Sequence, residues 1–428
     1  MKSISVGYKQ TEVGVIPTDW KLDFLGQKAS IFRGGSPRPI ESYITTSSEG
    51  VNWIKIGDVS ANAKYIKSTS EKIIASGVKH SREVKAGDLL LSNSMSYGRP
   101  YILCIDGCIH DGWLTISNYE HEFEKEFLCY ILGSECVSKQ YSELAAGTGV
   151  KNLNKQIVGK VQVPYPASID EQRAISTALS DMDALIEAKT SLLEKKRAIK
   201  QGSMQELLTG LRRLPGFPAT PMKKTDIGEI PEDWMVYELG AIGSWLKGQP
   251  MSKSDIALDG KYECIHYGEI FTVYKEVIRN TVSKTNIKQK KTSQIGDIIF
   301  AASDVTPNGL ARCSSVMLDG VIYGSDIIIL RVKAKSMCSM FVSYSINYNK
   351  AQLIDRVTGT TVKHINSRDL SSVKIALPRD KEEQHEIALI LSDMDAEIEI
   401  LEHELKKLRD IKQGMMQELL TGRIRLVK

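Results

Sequence analysis

A Glu-x-Lys triplet formed by Glu194, Lys195 and Lys196 is the pattern in this sequence that most resembles a catalytic motif. A metal-dependent nuclease site would need a further acidic residue, and Asp19 or Asp233 could supply it only from a distance along the chain. The triplet lies on the charged side of a stretch with helical apolar spacing, where charged residues are usually solvated. We therefore expect no nuclease site here.

The histidines and cysteines do not have the spacing of metal ligands. Four histidines have no Cys or Asp at a ligand-like separation: His80, His110, His266 and His364. The seven cysteines are an odd number and form no Cys-x-x-Cys pair, so neither a zinc site nor a disulfide framework is indicated. A G-x-x-x-x-G-K-[S/T] loop for ATP is also absent from the sequence. The sequence predicts no catalytic, metal or cofactor site in this chain.

Composition places the chain among globular proteins. It has 428 residues, 42% hydrophobic and 25% charged, which is enough for two to four domains with buried cores. The net charge of +4 is compatible with nucleic-acid binding but does not diagnose it. Because the sequence has neither a run of eighteen apolar residues nor the apolar segment of a signal peptide, we expect a cytoplasmic protein.

The elements that would position functional residues occur twice. The segments 171–210 and 383–422 are identical at 25 of 40 positions. Two shorter pairs also match: the turns GTGVKNLN (147–154) and GTTVKHIN (359–366), and the lead segments TEVGVIPTDWKLDFLG (11–26) and TDIGEIPEDWMVYELG (225–240). A repeat of this length indicates a duplicated domain rather than a solenoid.

The two interiors between these repeated segments are only weakly similar. Short apolar strands bounded by glycine recur in both, as in KAGDLLLSNS (85–94) and QIGDIIFAAS (294–303). Segments with helical spacing follow them, at 124–145 and 337–357. Each interior is therefore predicted to be one α+β domain that keeps its scaffold and varies its surface.

The repeated helices carry an apolar seam. In the second copy the seam has two heptad rows: Ile387, Met394, Leu401, Leu408 and Met415, and Leu391, Ile398, Leu405 and Leu419. Lys412 interrupts the second row, and Lys189 and Lys196 interrupt the first copy. A helix of forty residues is roughly 60 Å long and needs a partner for such a seam. Chain order favours antiparallel pairing of the two helices, with segment 11–26 near the end of the second.

The predicted fold is α+β, with two pseudo-two-fold-related globular α+β domains separated by two long helices packed as an antiparallel coiled coil. The predicted boundaries are 1–165 for the first lead segment and domain, 166–212 for the first helix, 213–378 for the second lead segment and domain, and 379–428 for the second helix. Heptads alone would also fit a structural spacer or a coiled-coil dimerisation protein.

The order of these elements resembles the specificity subunit of a type I restriction-modification enzyme over essentially the whole chain. The resemblance rests on G-x-I-P-x-D-W lead segments, G-T-x-V-K-x-[L/I]-N turns, Glu-Gln helix starts and K-Q-G-x-M-Q-E-L-L-T-G helix ends. It implies a non-catalytic subunit in which each variable domain is a target recognition domain reading one half of an asymmetric bipartite DNA sequence.

The resemblance also implies partners. The paired helices would separate the two domains and dock two adenine-N6 methyltransferase (M) subunits, through which ATP-dependent restriction (R) subunits join. S-adenosylmethionine, ATP and Mg²⁺ would be bound by those partners, since this sequence lacks both a glycine-rich cofactor loop and an N-P-P-[F/Y] segment. The alternative is a solitary DNA-binding or coiled-coil scaffold protein without methyltransferase partners.

Polar, glycine-containing loops are the predicted DNA-binding sites, because phosphates need Lys, Arg or free N–H groups and base edges need planar or bidentate side chains. The first-domain candidates are Arg33, Ser36, Arg38, Asn93, Ser94, Ser96, Tyr97, Arg99, Lys151, Asn152 and Asn154. The second-domain candidates are Lys247, Gln249, Ser303, Asp304, Asn308, Arg312, Lys363, His364 and Asn366. Ordinary turns and helix-capping turns remain the alternative for these segments.

The two sets differ, with Arg33 and Arg38 roughly matched by Lys247 and Lys253, so an asymmetric target is predicted. The basic clusters within the helices, around Lys195 and Lys406, fit a solvated coiled-coil face better than a phosphate contact.

The ends of both helices are strongly apolar, and their repetition suggests docking of two identical partners. The predicted docking residues are Met204, Leu207, Leu208, Met416, Leu419 and Leu420. The alternative, which the sequence leaves open, is that these side chains pack against the protein's own domains.

Overall fold

The computed structural model describes residues 6–59, 63–93, 98–145, 152–333 and 337–426. The chain divides into two compact units, one formed by Met1–Thr190 with Glu404–Lys428 and the other by Ser191–His403. Each long helix therefore contributes one part to each unit. The first unit also combines two separate segments of the chain. Within the described ranges, no helix combines the length and apolarity needed to cross a membrane.

In the described part of the first unit, the strands form two five-stranded sheets and two strand pairs. In spatial order the larger sheet is Ser30–Arg33, Trp113–Ser117, Leu89–Ser92, Pro100–Leu103 and Tyr65–Ile66. The other sheet is Ile44–Thr45, Glu71–Ile73, Val51–Ile54, Gly107–Ile109 and Arg82–Val84. The pairs are Tyr8–Thr11 with Gly14–Pro17 and Trp20–Phe24 with Gln162–Pro166. The α-helices apart from the long ones are Leu25–Lys28, Ala75–Val78, Lys125–Leu132, Glu135–Ala145 and Lys155–Gly159, and the 3₁₀ helices are Ile40–Ser42 and Ile56–Asp58.

The apolar run of strand Leu89–Ser92 is explained by burial on both faces. Leu89 and Leu91 belong to the core that includes helix Lys125–Leu132, whereas Leu90 belongs to a separate core drawn from the two sheets. Successive side chains of a strand point to opposite faces, so a strand covered on both sides must be apolar at every position. The strand predicted within residues 85–94 is thus confirmed.

The second unit repeats this plan with different details. Its larger sheet is Gly243–Lys247, Ile327–Val332, Asp297–Ala301, Cys313–Val316 and Val277–Ile278, and its four-stranded sheet is Ile256–Ala257, Ser283–Thr285, Tyr262–Ile265 and Ile322–Tyr323. The strand pairs are Met222–Thr225 with Gly228–Pro231, Trp234–Glu238 with Lys374–Pro378, and Ser303–Asp304 with Lys363–His364. The shorter helices are Leu239–Ile242, Glu269–Thr272, Pro307–Leu310, Ser339–Tyr348, Ala351–Ile354 and Ser367–Ser371, with a 3₁₀ helix at Lys253–Asp255. The predicted α+β class is confirmed in both units.

The long helices are Ile169–Leu208 and Lys381–Leu419. In the first unit, Lys189 lies 2.7 Å from Glu404 and Asp183 lies 2.5 Å from Lys412, so residue numbers fall along one helix as they rise along the other. The helices are therefore antiparallel in this unit, as predicted.

The second unit has the same antiparallel arrangement. Lys196 lies 2.6 Å from Glu397, and Lys200 lies 2.6 Å from Asp395. The lysines that interrupt the apolar rows thus form ion pairs between the helices. Charged pairs beside an apolar seam help to set register and orientation, and these lysines are accommodated in that way.

The end of the second long helix closes on the first lead segment. Arg425 donates to both carboxylate oxygens of Asp19 at 3.0 and 2.9 Å and to Glu171 at 2.7 Å. Gly422 has a φ of +69°, and a Cβ at this position would lie 2.5 Å from Cγ of Pro17. Glycine is therefore required at the helix end. The prediction that segment 11–26 lies near this helix end is confirmed.

The first long helix closes on the second lead segment in the same way. Arg213 donates to Asp233 at 3.0 and 2.8 Å and to the buried Glu383 at 2.6 and 2.8 Å. Gly210 has a φ of +71°, and a Cβ at this position would lie 2.3 Å from Cγ of Pro231. The repeated LLTG sequence is explained by this arrangement, because in each unit its leucines are buried and its glycine lies against the proline of a lead segment.

Candidate nucleic-acid interface

A tight loop follows strand Ser30–Arg33 in the first unit. The Gly34 amide donates to the Trp113 carbonyl at 2.9 Å, and the Gly35 amide donates to the Ile109 carbonyl at 3.2 Å. A Cβ at Gly34 would lie only 2.1 Å from the His110 carbonyl oxygen, so this close approach requires glycine. These two main-chain hydrogen bonds hold the loop against the sheet. The orientation of its side chains depends on other contacts.

Those side chains converge on Asp111. Oδ1 of Asp111 accepts a 2.9 Å hydrogen bond from the Ser36 hydroxyl, while Oδ2 lies 3.8 Å from Arg33 and 3.7 Å from Arg38. Nε of Arg33 also donates to the Asp111 carbonyl at 2.9 Å. The side chains of Arg33 and Arg38 are nevertheless 59% and 83% exposed. The structure therefore brings three sequence candidates together around an acidic residue that the sequence analysis missed.

The carboxyl of Asp111 is ionised more readily than usual. Burial opposes its ionisation, but the Ser36 hydrogen bond and nearby positive charge outweigh that effect and lower the pKa. Burial also lowers the pKa of the neighbouring His110, which favours its neutral form. A negative charge therefore stands between the two exposed guanidinium groups at neutral pH.

A third arginine joins this surface. Arg82 donates from Nε to the Arg33 carbonyl at 2.8 Å, and its guanidinium lies 4.9 Å from the ring centroid of the exposed Phe32. A cation–π contact of this kind helps to hold the guanidinium in place. Because Arg82 comes from a strand far along the chain, spacing in the sequence offered no signal for it.

Asn93 is corrected from a DNA-reading residue to a structural one. Its side chain is 3% exposed and donates to the Asp111 carbonyl at 2.8 Å, while its own carbonyl accepts from Leu153. Arg99 and Asn152 are exposed. The remaining candidates of these loops lie outside the described residues: Ser94, Ser96, Tyr97 and Lys151.

The second unit places Lys247 where the first places Arg33. Arg33 pairs with Leu114 in its sheet and Lys247 pairs with Ile328, each at the end of the corresponding edge strand. The Gly248 amide donates to the Ile327 carbonyl at 2.9 Å, which repeats the glycine contact of the first unit. The expected match of Arg33 with Lys247 is thereby seen in the strand register.

A cleft of about 440 Å³ opens beside Lys247 in the second unit. Gln249 also lines this cleft. Its main-chain N–H donates to the Tyr323 carbonyl at 3.0 Å, and its side-chain Nε2 donates to the Lys291 carbonyl at 3.3 Å. Lys290 and Lys291 are exposed at the rim. This basic rim was missed, although the run IKQKK (287–291) carried a signal for it.

Two other predicted loops of the second unit meet in a small strand pair. Ser303 pairs with His364 and Asp304 pairs with Lys363, and the Ser303 hydroxyl lies 3.0 Å from Nδ1 of His364. The exposed Asn308 follows in helix Pro307–Leu310. Four residues predicted from separate loops therefore form one surface.

Three other candidates have structural contacts. The Arg312 guanidinium donates to the carbonyls of Phe271 and Tyr274, at 3.5 and 3.2 Å. Asn154 and Asn366 are N-caps of short helices, each accepting two main-chain N–H bonds with its side-chain oxygen. These caps account for the asparagine that ends both repeated turns, and DNA contact by the exposed Asn154 and Asn366 stays a prediction.

The apolar helix ends are also corrected, in favour of packing against the protein's own domains. The residues Met204, Leu207 and Leu208 are buried in the core of the second unit, and Leu419 and Leu420 are buried in the core of the first, with Met416 packed against it. Each of the five buried side chains is at most 7% exposed. A partner could not bind them without opening a core.

Across the described ranges, no three His, Cys, Asp or Glu side chains are grouped so that they could hold a metal ion. The surfaces described above carry cationic groups and hydrogen-bond donors. Exposed guanidinium, ammonium and amide groups can bind phosphates and base edges.

Comparison with known sequences gives a consistent result. Residues 17–195 and 231–410 both match the family model for the type I restriction modification DNA specificity domain. The MjaX type I restriction enzyme specificity subunit of Methanocaldococcus jannaschii is 27% identical, over 98% of this chain and 97% of that protein. The MjaIX specificity subunit of the same organism is 23% identical, over 98% and 96%.

Solved structures share the fold. The type I restriction-modification S subunit from M. genitalium superimposes with a TM-score of 0.63 at 14% identity, covering 94% of this chain and 96% of that one. A structure described as the basis of complex assembly and conformational transition of the type I R-M system has a TM-score of 0.51 at 17% identity, covering 96% and 99%. With two matched domains that together span most of its length, the chain belongs to the family of type I restriction-modification DNA specificity subunits.

Proposed function

We propose that this chain is the non-catalytic subunit that selects the DNA sequence for a type I restriction-modification complex. Each unit would read one half of an asymmetric bipartite target. One observation carries this proposal: the two units share a framework, and at the same position of the strand register the first has Arg33 where the second has Lys247. A common scaffold with different cationic chemistry suits two different half-sites.

The partners in this proposal are double-stranded DNA and two methyltransferase subunits, with restriction subunits joining through them. S-adenosylmethionine, ATP and Mg²⁺ would be held by those partners. Docking is assigned to exposed apolar residues of the long helices rather than to the helix ends. Ile199 and Ile411 occupy equivalent positions of the repeat and are 46% and 41% exposed, each in its own unit, which suits two identical partners.

Methylome sequencing tests the proposal. A host strain lacking other adenine methylation would express the chain with the methyltransferase encoded beside it. We expect N6-methyladenine at a split motif, and none when this chain is omitted. Replacement of residues 20–165 by the same region of another family member should change one half of the motif and leave the other unchanged.

Copurification separates this function from that of a solitary scaffold. A tagged chain should retain two copies of the methyltransferase subunit and should transfer no methyl group when purified alone. A chain that retains no such subunit, in a strain whose genome encodes one, would be the scaffold instead.

A further inference from the structure

We propose that Asp111 positions Arg33 and Arg38 to read guanine in the half-site bound by the first unit. This inference rests on the proposed function and adds a base type and a positioning residue to it. Two exposed arginines, Arg33 at the end of its strand and Arg38 in the loop that follows, share a single carboxylate oxygen, Oδ2 of Asp111.

The orientation of Arg33 carries the first step. Its Nε donates to the Asp111 carbonyl at 2.9 Å, and one terminal nitrogen lies 3.8 Å from Oδ2. One edge of the guanidinium is thus occupied by protein. Because guanidinium has five N–H donors in a planar fork, the end formed by its two terminal nitrogens keeps outward donors. That end matches the O6 and N7 acceptors of guanine in the major groove.

Asp111 is itself fixed, which is the second step. The Ser36 hydroxyl holds Oδ1 at 2.9 Å, and the Asp111 amide donates back to the Ser36 oxygen at 3.3 Å. Arg33 belongs to the sheet itself, and the loop that carries Arg38 is bound to the sheet through Gly34. A carboxylate held in this way restricts the arginines before DNA arrives, which lowers the entropic cost of forming a bidentate contact.

A phosphate-binding surface would not need this arrangement. A carboxylate placed between two cations weakens attraction for phosphate, whereas it leaves a planar donor edge available for a neutral base. In the second unit, Lys247 and Ser325 occupy the positions of Arg33 and Asp111, and Ser325 accepts from the Met251 amide at 3.1 Å. Because the second unit has a serine at the position of Asp111, guanine reading of this kind is proposed for the first half-site alone.

The test uses the complete complex with its methyltransferase subunits. The motif is determined for the wild-type chain and for R33K, R38K and D111N. Lysine keeps the charge but lacks the planar fork, and asparagine keeps an acceptor for Ser36 but lacks the charge. The control is D106N, since Asp106 is also an exposed carboxylate paired with a lysine, Lys85, at 3.1 Å.

We expect R33K or R38K to accept other bases at one guanine position of one half-site, with discrimination falling roughly 10-fold. D111N should relax the same position while overall affinity stays equal or rises. D106N should leave the motif unchanged. On duplexes carrying each base at that position, the binding constants should show the same selective loss.

Two results would overturn the inference. One is a uniform loss of affinity over all sequences in R33K with an unchanged motif, which identifies a phosphate contact. The other is a first half-site without guanine. Both leave the proposed function standing, because the wild-type complex still methylates a split motif. If the wild-type complex methylates no specific sequence, the proposed function fails and this inference fails with it.

Discussion

Lys412 of the second long helix lies 2.5 Å from the carboxylate of Asp183 in the first long helix. The same carboxylate accepts a 2.6 Å hydrogen bond from the Tyr130 hydroxyl, which belongs to the globular part of the unit. In the second unit Lys200, Asp395 and Tyr344 repeat this arrangement. The repeated ion pair thus joins both helices to the domain that they carry.

Removal of the lysine should destabilise the second unit more than the first. Lys200 and Asp395 are 13% and 14% exposed. Lys200→Met would remove the ion-pair partner of the Asp395 carboxylate at a site that solvent barely reaches, at a cost of about 3 kcal/mol. Lys412 and Asp183 are 26% and 28% exposed, and Lys412→Met should cost about 1 kcal/mol. Urea unfolding of the two variants measures the difference, and equal losses would contradict it.

Glu122 should make the first unit acid-sensitive. Hydrogen bonds from Lys28 and Lys21 lower the pKa of Glu122 to about 2. Since the folded pKa lies below the ordinary value of 4.5, this stabilisation is present above pH 4.5 and is lost as the pH falls towards 2. Glu122→Gln should lower the free energy of unfolding by about 1–2 kcal/mol at pH 7. Unfolding curves should show the gap closing near pH 2, whereas Asp170→Asn, which removes an exposed ion pair with Arg173 at the helix start, should open a gap of only about 0.5 kcal/mol at pH 7.

Two glycines near the end of the second long helix should respond oppositely to alanine. At Gly422 a side chain meets Pro17 at 2.5 Å and the φ of +69° is unfavourable, so Gly422→Ala should cost about 2 kcal/mol or more. At Gly414, inside the helix, a Cβ would have no neighbour within 4 Å, and Gly414→Ala should add about 0.5–1 kcal/mol. Thermal unfolding should place the two Tm values on opposite sides of wild type.

The basic rim of the second unit should contribute to DNA affinity without specificity. Lys290→Gln and Lys291→Gln each remove an exposed charge beside the cleft. If both lysines contact phosphate, the double variant should reduce the slope of log K against log salt by about 2. The exposed Lys224 in the lead hairpin is the matched control, and its replacement by Gln should leave the slope unchanged. A change in the preferred sequence would contradict the assignment.

The exposed helix residues should affect assembly but not folding. Ile199→Glu and Ile411→Glu change side chains that are 46% and 41% exposed, so each should shift stability by no more than about 0.5 kcal/mol. Each variant should nevertheless lose one methyltransferase copy, and the double variant should lose both. Native mass spectrometry of the purified complex counts the copies. Retention of two copies by the double variant would place docking elsewhere.

Much of the fold could be predicted because its signals are local or repeated. The heptad rows depend on spacing along one helix, and the duplication links segments 171–210 and 383–422 without any structural knowledge. Antiparallel pairing followed from chain order, and the structure has it in both units. The strand register then confirmed the match of Arg33 with Lys247.

The site depended on tertiary structure, because burial and hydrogen bonding of a polar side chain are decided by residues distant in sequence. Asn93 looked like a base reader beside a strand end, yet its amide is consumed by the Asp111 carbonyl. The leucines of both helix ends looked like a docking surface, yet each set fills the core of the unit on which its helix ends. Sequence by itself determined the repeated scaffold and its helical seam, whose periodicity is written in consecutive residues. Tertiary structure alone decided which loop residues remain exposed and that Asp111 stands between Arg33 and Arg38, since such contacts arise only when separate strands are brought side by side.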